Sequence, residues 1–133
     1  MTNNGYRKVG HMNYFAITID FKNSRKIIHR EHLQQKLTDI CRLINKTYSG
    51  TIVAEFDFVL GDEVQGLISN ATDLMDILEL FRALNTAIYI GIGYGSVETL
   101  INTQEVEKND GPCFHYSREA IQEAKKQKNE SLV

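Results

Sequence analysis

The predicted first strand, Tyr14-Phe15-Ala16-Ile17-Thr18-Ile19, ends in the acidic residue Asp20 and is followed by Phe21-Lys22-Asn23-Ser24-Arg25. Its residues are almost all apolar, aromatic or β-branched, which is typical of a strand that is buried on both faces. An ionised side chain is costly inside such a strand, so its position at the C-terminal end makes Asp20 a candidate site residue.

A second acidic segment, Phe58-Val59-Leu60-Gly61-Asp62-Glu63-Val64-Gln65-Gly66, has the pattern of a β-hairpin. Gly61 can supply the positive φ of a tight turn, which places Asp62 and Glu63 at the tip. If the hairpin lies beside the Asp20 strand, three carboxylates converge. Convergent carboxylates repel one another, and the usual remedy is a divalent cation, Mg²⁺ or Mn²⁺, with a substrate phosphate completing its oxygen shell. Nucleotide chemistry is therefore the leading hypothesis.

A local explanation of the same acidic residues is also open. Asp20 could cap the following helix, and Asp62 and Glu63 could be solvated residues of a turn.

Length and composition predict one domain from an intracellular compartment. The chain has 133 residues, 42% hydrophobic and 24% charged, with a net charge of −2 that gives no general reason to bind nucleic acid. The cysteines, Cys41 and Cys113, are isolated, and no apolar stretch reaches membrane-spanning length. We expect a cytoplasmic protein with no membrane partner, in which residues 1–11 are a flexible extension, residues 12–126 form the domain and residues 127–133 are a frayed tail.

Hydrophobic periodicity predicts the order β-α-β-β-α-β followed by a C-terminal helix. The helix after the first strand could begin at Asn23 or Ser24, or at Arg30. In the strand at residues 51–60, the even-numbered residues form the predicted core face. The later elements are a return strand at 64–68, a helix ending at Asn85, a strand at 86–95 and a helix from Pro112.

This order predicts an α+β, ferredoxin-like fold with the strand order 4-1-3-2 and the two main helices on one face. The Asp20 strand then lies centrally, beside the Asp62 hairpin. The run Gly91-Ile92-Gly93-Tyr94-Gly95 lies in the fourth strand, where its glycines let a neighbouring backbone or a ligand approach closely.

These ordered motifs resemble the SatD family. The resemblance covers residues 14–125 and rests on the strand–helix junction at 19–25, the hairpin at 61–67, the glycine-rich strand at 91–95 and the segments Asp110-Gly111-Pro112 and Arg118-Glu119-Ala120.

More distantly, the layout resembles the palm domain of nucleotidyl cyclases, GGDEF proteins and CRISPR-associated polymerases. The resemblance implies that Asp20, Asp62, the carbonyl of Phe21 and Glu63 hold metal ions, with Asp20, Asp62 and Glu63 also catalytic. It implies phosphate contacts from the substrate-binding residues Lys22, Asn23, Ser24, Arg25 and Arg118, the first four near a helix N-terminus.

Leu60 and the pair Val64-Gln65 depart from the GGDEF pattern. Leu60 stands where those proteins have their first glycine, and Val64-Gln65 replaces the usual aromatic residue. Two functional hypotheses follow. The first is a homodimeric, metal-dependent palm that binds a nucleoside triphosphate and acts as a nucleotidyl cyclase or a cyclic oligonucleotide synthase. The alternative is a catalytically inactive nucleotide-sensing or dimerisation module of a SatD-like regulatory protein.

Overall fold

The computed structural model describes residues 13–21, 30–61, 63–84, 88–97 and 111–131. These ranges contain four strands and three helices in an α+β arrangement, in the order predicted from the periodicity. The elements are β1 (Asn13–Phe21), α1 (Arg30–Thr47), β2 (Ile52–Leu60), β3 (Glu63–Ile68), α2 (Leu74–Arg82), β4 (Ile88–Ser96) and α3 (Pro112–Ser131).

The four strands form one antiparallel sheet in the order β2-β3-β1-β4. The central strand is β1, in which Ile19 pairs with Val64 of β3 and with Ile90 of β4. The predicted strand order is thus confirmed, including the position of β1 beside the β2–β3 hairpin. Gly61 has a φ of 57° in the turn of this hairpin, as predicted from its freedom to adopt positive φ.

Helices α1 and α2 pack on one face of the sheet, where they bury the larger apolar cluster. Odd-numbered residues of β1 point to this face because side chains alternate along a strand. The predicted packing of these two helices on one face is confirmed. The buried members of the cluster are Ile17, Ile19, Phe21, Leu37, Cys41, Ile44, Phe56, Val64, Ile68, Ile77, Leu78 and Phe81.

Irregular pairing in β2 changes the predicted alternation of that strand. The register against β3 shifts between Ile52 and Ala54 and again between Ala54 and Asp57. Each irregularity inserts residues that have no partner on the neighbouring strand, so the side chains that follow change faces. Ala54 therefore belongs to the cluster under α3, and its prediction as a member of the same core face as Phe56 was wrong.

Helix α3 lies on the opposite face, directly over the glycines of β4. A Cβ atom built on Gly91 would overlap the carbonyl oxygen of Ser117, and one built on Gly93 would overlap that of Cys113. The sequence predicted that these glycines let either a neighbouring backbone or a ligand approach closely. In the structure, the backbone of α3 occupies this space. Pro112 occupies the first position of α3, where its missing N–H has no helical partner to lose.

Three boundaries refine the sequence-based assignments. Helix α1 begins at Arg30, the later of the predicted starts, and α2 ends at Arg82, before Asn85. Helix α3 continues past the predicted end of the domain at residue 126. None of the described helices combines the length and the apolar character that crossing a membrane requires.

The contact between α3 and β4 predicts that Gly93→Ala destabilises the protein. The added methyl group would meet backbone atoms of Cys113 and Ser117, which cannot rotate away, so we expect a loss of about 1–3 kcal/mol in the free energy of unfolding. Urea denaturation of the wild type and the variant measures this loss.

Gly50→Ala is the matched control, because nothing lies within 4 Å of the Cβ position at Gly50. We expect this variant to be as stable as the wild type or slightly more stable. Equal free energies of unfolding for the two variants would contradict the close approach of α3.

Candidate functional site

The register of β1 against β3 brings two of the predicted acidic residues together. Thr18 pairs with Gln65 and Ile19 with Val64, so Asp20 and Glu63 come next on the two strands. Side chains alternate along both strands, so Asp20 lies on the same face as Thr18, and Glu63 on the same face as Gln65. The hydrogen bond between the Thr18 and Gln65 side chains shows that these faces are one, the face covered by α3.

The Asp20 carboxylate has a partner on each oxygen. Lys125 of α3 donates a hydrogen bond from Nζ to Oδ2 at 2.7 Å and forms an ion pair with it. The backbone N–H of Phe21 donates to Oδ1 at 2.9 Å. Charge-assisted bonds of this length are the stronger class of hydrogen bond. Asp20 is therefore held in one orientation by its own strand and by the helix above it.

The Lys125 ammonium lies partly in solvent. The side chain of Lys125 is 36% exposed and that of Asp20 is 23% exposed. Nζ also lies 5.6 Å from the centre of the Tyr89 ring. Tyr89 is the β4 residue that pairs with Asp20. A cation at this distance is attracted to the ring face. The position of Lys125 is thus set by a carboxylate and an aromatic ring on adjacent strands.

The electrostatics of Glu63 identify the charges that surround it. Burial raises the pKa of the Glu63 carboxyl above its ordinary value. The Arg118 guanidinium opposes this rise in pKa, the Asp20 carboxylate adds to it and the Lys125 ammonium opposes it. One carboxylate and two cations therefore act on Glu63 near the end of β1, although Arg118 itself is exposed.

A buried polar chain lies next to this charged group. Gln65 Nε2 donates to Thr18 Oγ1 at 3.0 Å, and the Thr18 and Ser117 hydroxyls are 2.8 Å apart. Ser117 Oγ in turn donates to the carbonyl of Phe114 at 2.9 Å, so the Thr18 hydroxyl is the donor to Ser117. Gln65 is 1% exposed, and its Oε1 accepts no hydrogen bond from the residues that the structure describes.

The predicted site residues divide into two groups. Asp20 and Glu63 are brought together, Phe21 contributes its backbone N–H to Asp20, and Arg118 approaches Glu63 closely enough to influence its pKa. The other predicted residues lie outside the described residues and stay predictions. They are Asp62, Lys22, Asn23, Ser24 and Arg25.

The donor set suits a hard divalent cation, since carboxylate oxygens are the ligands that Mg²⁺ and Mn²⁺ prefer. Asp20 and Glu63 supply two such groups on one face. The Asp20 carboxylate contributes to the raised pKa of Glu63, as expected for two neighbouring negative charges. Within the described ranges, no three His, Cys, Asp or Glu side chains are close enough to form a metal site. Asp62, the third predicted carboxylate, falls outside those ranges.

Three participants were missed by sequence reasoning. Lys125 was placed at the end of the last helix with no role, and Thr18 and Ser117 were not singled out. One signal for Lys125 was available, because it follows Arg118 by seven residues and two helical turns bring such residues to one side of a helix. The pairing of Lys125 with Asp20 depends on where α3 lies, which residue spacing alone does not give.

Comparison with curated proteins found no match. The model of the SatD family matches residues 14–131, which include β1 from Tyr14 onward and every later element through α3. This match spans most of the sequence and includes both candidate acidic segments. The chain belongs to the SatD family.

Proposed function

We propose that this chain is a ferredoxin-like palm domain that binds a divalent cation, Mg²⁺ or Mn²⁺, together with a nucleoside triphosphate. The site is the end of β1 and the β2–β3 hairpin. The observation that carries the proposal is the placement of Asp20 and Glu63 side by side on one face, with Lys125 of α3 paired to Asp20 and Arg118 of α3 acting on Glu63. Carboxylates suit the cation, and the basic side chains suit phosphates.

Both groups of predicted residues have roles in this site. Asp20, Glu63 and Asp62 hold the cation, which, when bound, neutralises phosphate charge. Arg118 approaches the phosphates from α3. The segment at 22–25, which lies in the sequence between β1 and the N-terminus of α1 at Arg30, supplies further phosphate donors.

Thermal unfolding tests the cation site. A cation that binds only the folded chain at ten times its dissociation constant adds about 1.4 kcal/mol of stability. For a domain of this size, we expect the melting temperature to rise by about 3–6 °C. Asp20→Asn should abolish the rise because it removes a charged ligand.

Asp39→Asn is the control for this experiment, since Asp39 is an exposed carboxylate of α1 away from the site. It should retain the full rise in melting temperature. Without metal, Asp20→Asn also loses the ion pair with Lys125, which at this exposure is worth about 1 kcal/mol at most. Melting temperatures that do not respond to Mg²⁺ or Mn²⁺, with or without ATP or GTP, would contradict the proposal.

A second candidate is a regulatory module that binds nucleotide without turnover. The observation that favours it is the state of Asp20, which has Lys125 on one oxygen and the Phe21 N–H on the other. A carboxylate already neutralised by a lysine has less need of a metal ion. The homodimer implied by the palm resemblance suits either candidate, as a shared active site or as a dimerisation scaffold.

Product formation separates the two candidates. For an enzyme, incubation with each nucleoside triphosphate and Mn²⁺ should give a cyclic or an oligomeric product by mass spectrometry. Glu63→Gln should abolish that product while circular dichroism shows an unchanged fold. For a regulatory module, calorimetry should show nucleotide affinity without product for any divalent ion. Product from both the wild type and Glu63→Gln would contradict the role of Glu63.

A further inference from the structure

We infer that Lys125 couples cation binding to phosphate binding at this site. In the chain without ligand, Lys125 is paired with Asp20, so it competes with an incoming divalent cation for that carboxylate. When the cation binds, Lys125 is released to contact phosphate. This inference rests on the proposed function and adds to it a phosphate-binding residue that the sequence analysis did not single out.

Competition follows from the contacts of Asp20. Lys125 Nζ lies 2.7 Å from Oδ2, and Oδ1 accepts the Phe21 N–H. Two cations cannot share one carboxylate oxygen at contact distance without strong mutual repulsion. A divalent cation that uses Oδ2 must therefore displace the ammonium of Lys125, and this displacement weakens binding of the cation alone.

Release is compatible with the surroundings of Lys125. Its side chain is 36% exposed, and the flexible stem of a lysine allows the ammonium to move several ångströms without a change in α3. The partner that it leaves, Asp20, is neutralised by the incoming cation. The centre of the Tyr89 ring lies 5.6 Å from Nζ before release.

A phosphate is the partner that suits the released ammonium. Arg118 lies seven residues earlier on the same helix and has no hydrogen bond or ion pair with a described residue, although it acts on Glu63. Lys125 and Arg118 therefore offer two positive charges from one side of α3, next to a pair of carboxylates. A ligand that carries a cation and several phosphates complements both sets of charges.

Loss of the Lys125 ammonium should change the affinities for two ligands in opposite directions. In Lys125→Met, which keeps the apolar stem, Mn²⁺ alone should bind about three- to tenfold more tightly, because its competitor is gone. The complex of Mn²⁺ with inorganic triphosphate should bind about tenfold more weakly, because a phosphate contact is lost. Isothermal titration calorimetry of the full chain measures both affinities, and triphosphate makes the result independent of the base.

Lys126→Met is the matched control, since Lys126 is the adjacent exposed lysine of α3. It should leave both affinities unchanged. Lys125→Gln provides a second variant for the case that Lys125→Met does not fold, as judged by circular dichroism.

Each outcome of the titration decides the inference. Tighter Mn²⁺ binding with weaker triphosphate binding, in the Lys125 variants alone, supports it. If Lys125 has only a structural role, its substitution should lower the affinity for both ligands. If Lys125 has no role, both affinities should stay unchanged. Either result overturns the inference but not the cation site. Absence of Mn²⁺ binding in the wild type and in all variants overturns the inference and the proposed function together.

Discussion

The close approach of α3 to the sheet is the constraint on which the site depends. The backbone of α3 lies over Gly91 and Gly93 of β4, where any Cβ atom would overlap the carbonyl oxygens of Ser117 and Cys113. The rest of the helix contributes only a modest apolar stripe, of which Phe114 and Ile121 are buried. Dispersion and hydrophobic contacts require close packing. The close approach that Gly91 and Gly93 allow therefore helps to hold α3 in register with β1.

The side chains on the α3 face of β1 change from apolar to charged along the strand. The face is apolar where Ala16 lies beside Leu67, polar where Thr18 lies beside Gln65, and ionic at Asp20. The buried polar chain is satisfied at Thr18 and Ser117, which favours one position of α3, because a shifted helix would leave those hydroxyls without partners. Lys125 reaches Asp20 two turns further along the helix, so one placement of α3 sets both the polar chain and the ion pair.

Local patterns predicted the sheet well and the charged group in part. The apolar run before Asp20, the turn at Gly61 and the order of the elements were enough to place β1 beside the hairpin and to bring Asp20 near Glu63. Two features depend on tertiary packing and could not be predicted. The irregular pairing of β2 moved Ala54 to the other face, and the position of α3 paired Lys125 with Asp20, so a lysine offsets part of the carboxylate repulsion that the sequence had suggested a metal would relieve.

The proposed cation site lies on the face of β1 and β3 that α3 covers. Paramagnetic broadening by Mn²⁺ in amide NMR spectra measures this placement directly. If the cation binds there, substoichiometric Mn²⁺ should first broaden the amides of Asp20, Phe21 and Glu63 together with those of α3 around Lys125, while amides of the opposite core face, such as Ile44 and Ile77, stay sharp. Broadening centred elsewhere, or spread evenly over the chain, would contradict it.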